Sequence, residues 1–546
     1  MKQVLHYYKT KMEPASQYRQ SCEAILGSQY VNTSESVTKA AQTATFDTLQ
    51  QVPFVIQPGS PEQVQECVKL AQKLGISLYP ISQGLNWGYG SKVPCETHNV
   101  LMDLSRLNHI NVDERNATVT LGPGVTQQQL FDYLRSNHPS LMVSLTGSSP
   151  HASIIGNALD AGYGNGQHVI RWDRVISLEA ILPSGEWVKT GFDRFPKAST
   201  ARISQYGPGP DLKGLFRQSN LGIVTEMTLE LPVLPEYLQV FYFSIDDESR
   251  LTPLIEVLQN LKRSGVIQGN WSLFNGYRIL AETSQYPWLE TEGITPLDRQ
   301  FMLKSLQKQN IPVWSGLYNG VFAIYSPSLL HARSTQLYIM AAINDSVDRL
   351  ESVTVDQTQI KRLRWNPHIE IPGITHNILK GRLLTFAGIQ GQGSIRVGYW
   401  RKQSCIPDTM HLDRDGCGFI WMALTAPSSG EDALTIVRVL EQFFLHYGFE
   451  PMIVLDGINP REMYVMAALV YDRETPGQDQ QALQCFERAA QELRAMGYYQ
   501  YRLPMPISSL AALGEPVDDS ASVFAKLQSS LNPNHILAPG RYMAGF

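Results

Sequence analysis

Glycine and small polar residues are concentrated in one stretch of the chain, residues 79–90, which reads YPISQGLNWGYG. Glycine permits positive φ angles and close backbone approach, and successive backbone N–H groups can surround a phosphate. The spacing fits neither GxxxxGK[ST] nor GxGxxG, and a purely structural glycine turn is the alternative. We predict a phosphate cradle formed by Ser82, Gln83, Gly84, Asn86, Gly88 and Gly90.

The elements that would position this loop follow from hydrophobic periodicity. Apolar residues recur at helical spacing over residues 61–74, and a short strand over 75–80 leads into the loop. Residues 175–182 and 223–231 have the character of strands. Beyond Pro232 and Pro235 the pattern changes to an alternation of predicted helices (254–261, 431–447, 481–496) and strands (419–424, 463–470).

Composition limits the function classes. At 546 residues, the chain is longer than a single hydrophobic core usually holds, so two domains are expected. With 43% hydrophobic residues, 17% charged residues and a net charge of −5, it has no basic surface suited to nucleic acid or anionic lipid. We expect neither nucleic acid nor a membrane as partner.

The six cysteines are scattered and show no CxxC or His–Cys cluster, so we expect free thiols and no metal site. The N-terminus lacks the apolar core of a signal peptide, and no run of about 18 apolar residues occurs. These features predict a cytoplasmic protein.

Three further blocks follow the loop in order, at residues 147–167 (GSSPHASIIGNALDAGYGNGQ), 177–191 and 212–231. With the closing motif NPNHILAPGRY at 532–542, they resemble the vanillyl-alcohol oxidase and p-cresol methylhydroxylase family of FAD-dependent oxidoreductases. The resemblance implies FAD and adds these cofactor-binding residues: Gly147, Ser148, Ile155, Gly156, Asn157, Gln167, Gly222, Ile223, Val224 and Arg541.

The fold implied is α+β, with a discontinuous FAD-binding domain of the p-cresol methylhydroxylase type and a central α+β cap over the flavin. We place the first part of the FAD-binding domain at residues 1–234, the cap at 235–500 and the C-terminal return at 501–546. The closing motif would have to fold back onto the N-terminal part.

The same resemblance implies a substrate site. In related enzymes that act on para-substituted phenols, a loop tyrosine and a C-terminal Tyr–Arg pair hold the phenol oxygen as phenolate. The matching residues are Tyr89, Tyr501 and Arg502. An arginine and two hydroxyl donors would stabilise an oxyanion and lower the pKa of the phenol. Structural roles for the three side chains are the alternative.

The chain departs from the family pattern at the aspartate that lies near flavin N5. An ungapped count places Ile170 there, and the local pattern GQH places Gln167 there. The nearest acids are Asp160 and Asp173, of which Asp173 could equally form a surface ion pair. The group that would activate water or tune the flavin is therefore open.

A second departure concerns covalent attachment of the flavin. The position of the family's linking histidine is Phe419, and the glycine loop contains no histidine. In tyrosine-linked members an ungapped count reaches His411, which a loop role explains equally well. We expect non-covalently bound FAD.

We therefore predict an FAD-dependent enzyme that takes hydride from a small organic substrate, with a para-substituted phenol as the first choice. The alternatives are a non-phenolic secondary metabolite of a natural-product pathway, and a non-catalytic flavin-binding partner protein. The electron acceptor is expected to be oxygen or a separate redox partner, and family analogy implies a homodimer.

Overall fold

The computed structural model of the protein describes residues 2–507, 513–514 and 518–543. Its strands form three sheets of four, five and eight strands, which alternate with helices throughout the chain. The α+β class expected from the sequence is confirmed.

The four-stranded sheet is built near the N-terminus and has the order β1-β2-β4-β3. Strands β2, β4 and β3 run parallel, and β1 is antiparallel to β2. Its elements are α1 (Lys2–Leu26), β1 (Val31–Asn32), α2 (Glu35–Ala41), β2 (Val55–Ile56), α3 (Pro61–Leu74), β3 (Leu78–Ile81) and β4 (Val100–Asp103).

The five-stranded sheet is antiparallel and has the order β5-β6-β9-β7-β8. Two helices connect β6 to β7, and the shorter one, α5, carries part of the second sequence block. The elements are β5 (Ile110–Asp113), β6 (Thr118–Leu121), α4 (Gln127–Asn137), α5 (Ile154–Leu159), β7 (Val175–Ile181), β8 (Trp187–Lys189) and β9 (Ile223–Glu230).

The eight-stranded sheet is antiparallel and has the order β13-β10-β12-β11-β15-β16-β14-β17. Its strands are β10 (Tyr237–Ile245), β11 (Trp271–Asn275), β12 (Tyr318–Ser326), β13 (Arg349–Asp356), β14 (Cys417–Pro427), β15 (Met452–Gly457), β16 (Glu462–Asp472) and β17 (Gln500–Arg502). The helices from this part of the chain onward are α6 (Leu251–Arg263), α7 (Gly276–Thr283), α8 (Arg299–Lys308), α9 (Leu329–Ile343), α10 (Gln357–Trp365), α11 (Asn377–Phe386), α12 (Gly430–His446), α13 (Gln478–Ala495) and α14 (Ser520–Leu531).

Helix α3 shows how local sequence positions the glycine loop. The Ser60 side chain accepts a hydrogen bond from the Gln63 N–H, and Pro61 occupies the first turn, where its missing N–H costs nothing. Gly75 ends the helix with φ +66°, a left-handed conformation that glycine adopts without strain. The chain then enters β3, so the loop begins directly at the end of a parallel strand.

The C-terminal motif lies beside β3. The Leu78 N–H donates to the Ile536 carbonyl at 2.7 Å, and the Ala538 N–H donates to the Leu78 carbonyl at 2.8 Å. The buried Asn532 side chain holds the turn before this contact, because its Oδ1 accepts from the Ile536 N–H at 3.0 Å. The last described residues therefore border the glycine loop.

The sheets change near the first predicted domain boundary, and the division into domains stays a prediction. Strand β9, before Pro232, belongs to the five-stranded sheet, and β10, after Pro235, belongs to the eight-stranded sheet. The eight-stranded sheet continues through β17 to Arg502, so the predicted boundary at residue 501 falls inside a strand.

Candidate active site

A single cavity of about 420 Å³ collects residues from all three sheets. Its volume lies in the usual range for a small-molecule site. The four-stranded sheet contributes β3 and the loop after it, and the C-terminal motif contributes Ala538, Arg541 and Tyr542. The five-stranded sheet contributes the start of β9, and the eight-stranded sheet covers the opposite side.

The first part of the glycine loop forms one wall of the cavity. Ser82, Gln83, Gly84 and Asn86 all line it, and Gly84 has φ +67°. In the described part of the chain, the backbone N–H groups of residues 82–86 donate to no protein atom. Five successive unpartnered N–H groups facing a cavity suit a phosphate-containing ligand.

The second part of the loop has a different role. Gly88 and Gly90 have φ values of +79° and +118° but are not among the lining residues. A Cβ at Gly88 would lie 2.4 Å from Trp421 Cδ1, and one at Gly90 would lie 2.6 Å from Met505 Cβ. The Gly88 carbonyl also accepts from the Trp421 N–H at 3.1 Å. These two glycines let the loop pack against β14 and residue 505, so the structure does not place them in the predicted cradle.

The other predicted cofactor residues lie on the cavity wall with one exception. Gln167 is outside it, because its side-chain amide turns away and donates to the Val233 carbonyl at 3.1 Å. The lining set includes Gly147, Ser148, Ile155, Gly156, Asn157, Gly222, Ile223, Val224 and Arg541. At Gly222 a Cβ would approach Phe216 Cε1 to 2.7 Å, so the absence of a side chain keeps this wall open.

Of the acids considered for the family aspartate, only Asp160 lies in the cavity. Asp173 is exposed, and Ile170 packs against a small cluster that contains Tyr464. Asp160 Oδ2 accepts from Arg502 Nε at 2.9 Å and Nη2 at 2.7 Å, while Asp160 Oδ1 accepts from Arg541 Nη2 at 3.0 Å. Asp160 is therefore a partner of two arginines.

Electrostatics keep this carboxylate ionised. Burial favours the neutral acid, but the charges of Arg502 and Arg541 outweigh burial and hold the pKa of Asp160 well below its usual range. The Tyr542 hydroxyl adds a hydrogen bond at 2.7 Å, and Asn86 Nδ2 adds one at 3.0 Å. With two guanidinium groups and one carboxylate, the cluster keeps an excess of one positive charge.

The three predicted substrate-binding residues meet at this cluster. Tyr89, Tyr501 and Arg502 all line the cavity, and Arg502 Cζ lies 4.0 Å from the centre of the Tyr89 ring. Burial raises the pKa of Tyr89 to about 12, so its hydroxyl remains a proton donor at neutral pH. Among the described residues, the partner of the Tyr501 hydroxyl is the Met466 sulfur, a weak acceptor, at 3.4 Å.

An acid on the opposite side of the cavity was missed from the sequence. Asp456 lies on β15 and is buried; its Oδ2 accepts from the Tyr163 hydroxyl, and its Oδ1 accepts from the Ser272 hydroxyl. Burial raises the pKa of Asp456 above its ordinary value, against the effect of these hydrogen bonds. The only sequence signal is an aspartate inside the apolar run MIVLDG.

Strand alternation explains why the eight-stranded sheet supplies so many lining residues. Side chains two apart on a strand point to the same face. The pairs Ser272 and Phe274, Val454 and Asp456, and Phe419 and Trp421 obey this rule, and all six line the cavity.

No histidine occurs among the described residues that line the cavity. Phe419 lies there, at the position that the family resemblance assigns to a linking histidine. His411 lies outside the lining; its Nδ1 accepts from the Arg414 N–H at 3.3 Å, and its ring meets the edge of Trp87 at 5.3 Å. No helix in the described ranges combines the length and apolar character needed to cross a membrane.

Comparisons with known proteins agree with this geometry. Residues 52–191 match the model of an FAD binding domain. The chain is 38% identical to 1'-carboxy-chondrochloren decarboxylase of Chondromyces crocatus over 521 residues, and these residues cover 95% of each chain. It is 27% identical to the flavoprotein subunit of 4-cresol dehydrogenase [hydroxylating] of Pseudomonas putida, over 88% of this chain and 85% of that one.

A solved structure of p-cresol methylhydroxylase with bound substrate shares the fold, with a TM-score of 0.86, 23% identity and coverage of 97% of this chain and 96% of that one. The predicted family and the predicted FAD cofactor are both confirmed. Because the agreement in sequence extends over nearly the whole chain and the agreement in fold over all three sheets, the protein belongs to the vanillyl-alcohol oxidase and p-cresol methylhydroxylase family of FAD-dependent oxidoreductases.

Proposed function

We propose that FAD is held by the cavity wall made of residues 82–86, 146–148, 155–157 and 222–224, together with Arg541. The unpartnered N–H groups of residues 82–86 and the positive charge of Arg541 fit the anionic part of the cofactor. When bound, FAD supplies a two-electron acceptor that takes a hydride. The absence of histidine and cysteine from the described lining supports non-covalent binding.

We further propose that the enzyme oxidises a para-substituted phenol, which Tyr89, Tyr501 and Arg502 bind as the phenolate. The observation that carries this proposal is the Arg502 guanidinium, 9% exposed and with its Cζ 4.0 Å from the centre of the Tyr89 ring, beside a Tyr501 hydroxyl whose partner among the described residues is the weak acceptor Met466 sulfur. A phenolate would pair with this guanidinium and accept hydrogen bonds from the hydroxyl groups of Tyr89 and Tyr501. Asp160 stays ionised and fixes the guanidinium of Arg502.

The chemical consequence follows from the charge of the bound phenol. The cation and the two hydrogen bonds favour the ionised form and lower the pKa of the phenol. Electron density then rises at the para carbon, which makes a hydride easier to remove from the attached benzylic carbon. A non-phenolic substrate has no phenol oxygen to ionise, so this arrangement would not activate it. The experiments below distinguish this alternative from the phenol proposal. A redox partner, oxygen as electron acceptor and a homodimer remain predictions.

A second candidate function is oxidation coupled to loss of a carboxyl group. It is favoured by the extensive similarity to a relative that is named a decarboxylase. Removal of a hydride from a 4-hydroxyphenyl–CH₂ group leaves a quinone methide. If the carbon next to the benzylic carbon carries a carboxylate, the bond between that carbon and the carboxylate can break. The electron pair of this bond forms the new C=C bond and restores the aromatic ring, so the products are an alkene-bearing phenolate and CO₂.

The cofactor wall is tested by Gly84→Asp with Gly84→Asn as its matched control. Both side chains have the same shape, and both asparagine and aspartate tolerate positive φ, but only aspartate brings a negative charge to the unpartnered N–H groups. We expect Gly84→Asn to retain much more FAD than Gly84→Asp, measured as the ratio of flavin absorbance to protein absorbance after purification. Full FAD occupancy in Gly84→Asp would show that this loop does not hold the cofactor phosphates.

Non-covalent attachment is tested by acid precipitation of the purified protein. Because Phe419 replaces a linking histidine and His411 lies outside the cavity lining, the yellow colour should pass into the supernatant. Flavin that remains in the precipitate would contradict this expectation, and a peptide map would then show whether His411 or another residue carries the link.

The phenolate site is tested by Arg502→Met. Asp160 keeps Arg541, Tyr542 and Asn86 as partners, so we expect a folded, FAD-bound protein. Loss of the cation should cost on the order of 3 kcal/mol of oxyanion stabilisation, about a hundredfold in the rate of anaerobic flavin reduction by a 4-alkylphenol. Tyr501→Phe should cost less, because one neutral donor is lost and no charge.

The methyl ether of the same substrate is the chemical control for this experiment. It cannot ionise, so the unmodified enzyme should reduce its flavin very slowly with the ether. If the ether reacts as fast as the phenol, or if Arg502→Met keeps the original rate, the phenolate proposal is wrong and a non-phenolic substrate takes its place.

Coupled decarboxylation is tested with 3-(4-hydroxyphenyl)propanoate under anaerobic single-turnover conditions. We expect one equivalent of CO₂ and 4-vinylphenol per reduced flavin, measured by gas analysis and chromatography. A product that retains its carboxyl group, with the flavin fully reduced, would exclude this second candidate and leave simple phenol oxidation in place.

A further inference from the structure

Two arginines line the cavity on the side of the eight-stranded sheet, the buried Arg278 and the partly buried Arg382. Arg278 lies in the first turn of α7, where the Asn275 side chain at the end of β11 accepts its backbone N–H. Arg382 lies on α11, with its Cζ 4.2 Å from the centre of the Phe274 ring. Arg278 is only 5% exposed, so its charge is removed from water.

Some N–H groups of these two arginines have no hydrogen-bond acceptor among the described residues. Glu282 forms an ion pair with each arginine: Arg382 Nη2 donates a hydrogen bond to Oε2 at 2.6 Å, whereas Arg278 Nη2 lies 3.1 Å from Oε1 without forming a hydrogen bond. Nε and Nη1 of Arg278 and Nε of Arg382 have no hydrogen-bond partner among the described residues. Buried charged donors without acceptors are costly, so this arrangement calls for an acceptor that the chain does not provide.

The neighbouring carboxylate does not fill that role. The two oxygens of Asp456 already accept hydrogen bonds from Tyr163 and Ser272. Glu282 and Asp456 are the carboxyl groups beside the two arginines, and neither accepts a hydrogen bond from Nε or Nη1 of Arg278 or from Nε of Arg382. One anionic group in the cavity would supply acceptors for these donors.

We propose that Arg278 and Arg382 bind a carboxylate on the side chain of the phenolic substrate, at the end of the cavity away from its phenol oxygen. This inference rests on the proposed phenol site. It assigns the substrate class as a 4-hydroxyphenyl compound with a carboxylate on its para substituent. Arginine suits a carboxylate because its planar set of N–H donors matches the two oxygens.

The wall between the two ends agrees with such a ligand. Tyr163 and Tyr501 line the cavity, and the ring of Tyr464, which is not itself a lining residue, packs against both, at 5.5 Å from Tyr163 and 3.9 Å from Tyr501. Phe274, Val454 and Met466 line the same stretch with apolar surface. An aromatic ring and a short alkyl chain would lie against these side chains, with one anionic group at each end.

The test measures binding alone, by titration calorimetry of the FAD-loaded enzyme with ligands that have no benzylic carbon to oxidise. The ligands are (4-hydroxyphenoxy)acetate, 2-(4-hydroxyphenoxy)acetamide, 4-ethoxyphenol and phenoxyacetate. We expect (4-hydroxyphenoxy)acetate to bind about ten to a hundred times more tightly than 2-(4-hydroxyphenoxy)acetamide, which is the range for hydrogen bonds to a charged group. Arg278→Met and Arg382→Met should remove this preference and leave the affinity for 4-ethoxyphenol almost unchanged.

The matched control is Arg364→Met. Arg364 is as buried as Arg278, but it donates to the Pro139 carbonyl and does not line the cavity. This variant should keep the preference for the acetate. An unmodified enzyme that binds the amide as tightly as the acetate would overturn the proposal, and so would arginine variants that keep the preference or that lose 4-ethoxyphenol equally.

Two further arms separate the alternatives. In the first arm, inorganic phosphate and free acetate ion are compared as competitors of (4-hydroxyphenoxy)acetate. If phosphate competes more strongly, the carboxylate assignment is overturned in favour of a phosphate ester. Failure of the phenol proposal would appear elsewhere, as an affinity for 4-ethoxyphenol that Arg502→Met does not change. In that case, tighter binding of phenoxyacetate than of 2-phenoxyacetamide would still report on the arginine pair.

Discussion

The buried carboxylate of Asp160 is the interaction on which the site depends. It joins Asn86 of the glycine loop, Arg502 of β17, and Arg541 and Tyr542 of the C-terminal motif. Charged groups removed from water are stable only when they are paired and hydrogen-bonded, so each of these segments is held in position by the others. The same ion cluster therefore closes the fold and sets the charge of the cavity.

The sign of that charge matters for function. A single carboxylate cannot neutralise both Arg502 and Arg541, so one positive charge of the cluster is left for the ligands of the cavity. The cluster is preorganised, because Asp160 orients the guanidinium of Arg502 before any substrate arrives. Asp160, a candidate substitute for the family aspartate, is in this chain the partner that orients Arg502, the arginine that we propose binds the substrate.

Local sequence located several of the regular elements and one wall of the site, although the strand predicted at residues 75–80 lies at Leu78–Ile81. Helix α3 begins and ends where the proline, glycine and apolar spacing predicted, and β7 and β9 each end one residue earlier than predicted. Contacts between distant residues were beyond this reasoning. Asp160 and Arg502 are 342 residues apart, and no local pattern links them. The sequence places Gly88 and Gly90 in the phosphate cradle, but in the structure they pack against Trp421 and Met505.

The second end of the cavity was hidden for a related reason. Asp456 and Ser272 lie within strands that are almost wholly apolar, and Arg278 and Arg382 lie on helices where a charged residue is ordinarily assumed to face water. Only sheet order brings β11 next to β15 and turns their alternate side chains to one face. The cavity then has arginines on its wall from two parts of the chain, Arg502 of β17 and the pair Arg278 and Arg382, together with apolar side chains of β11 and β15. The ligand that we propose, an aromatic compound with two acidic groups, rests on this combination.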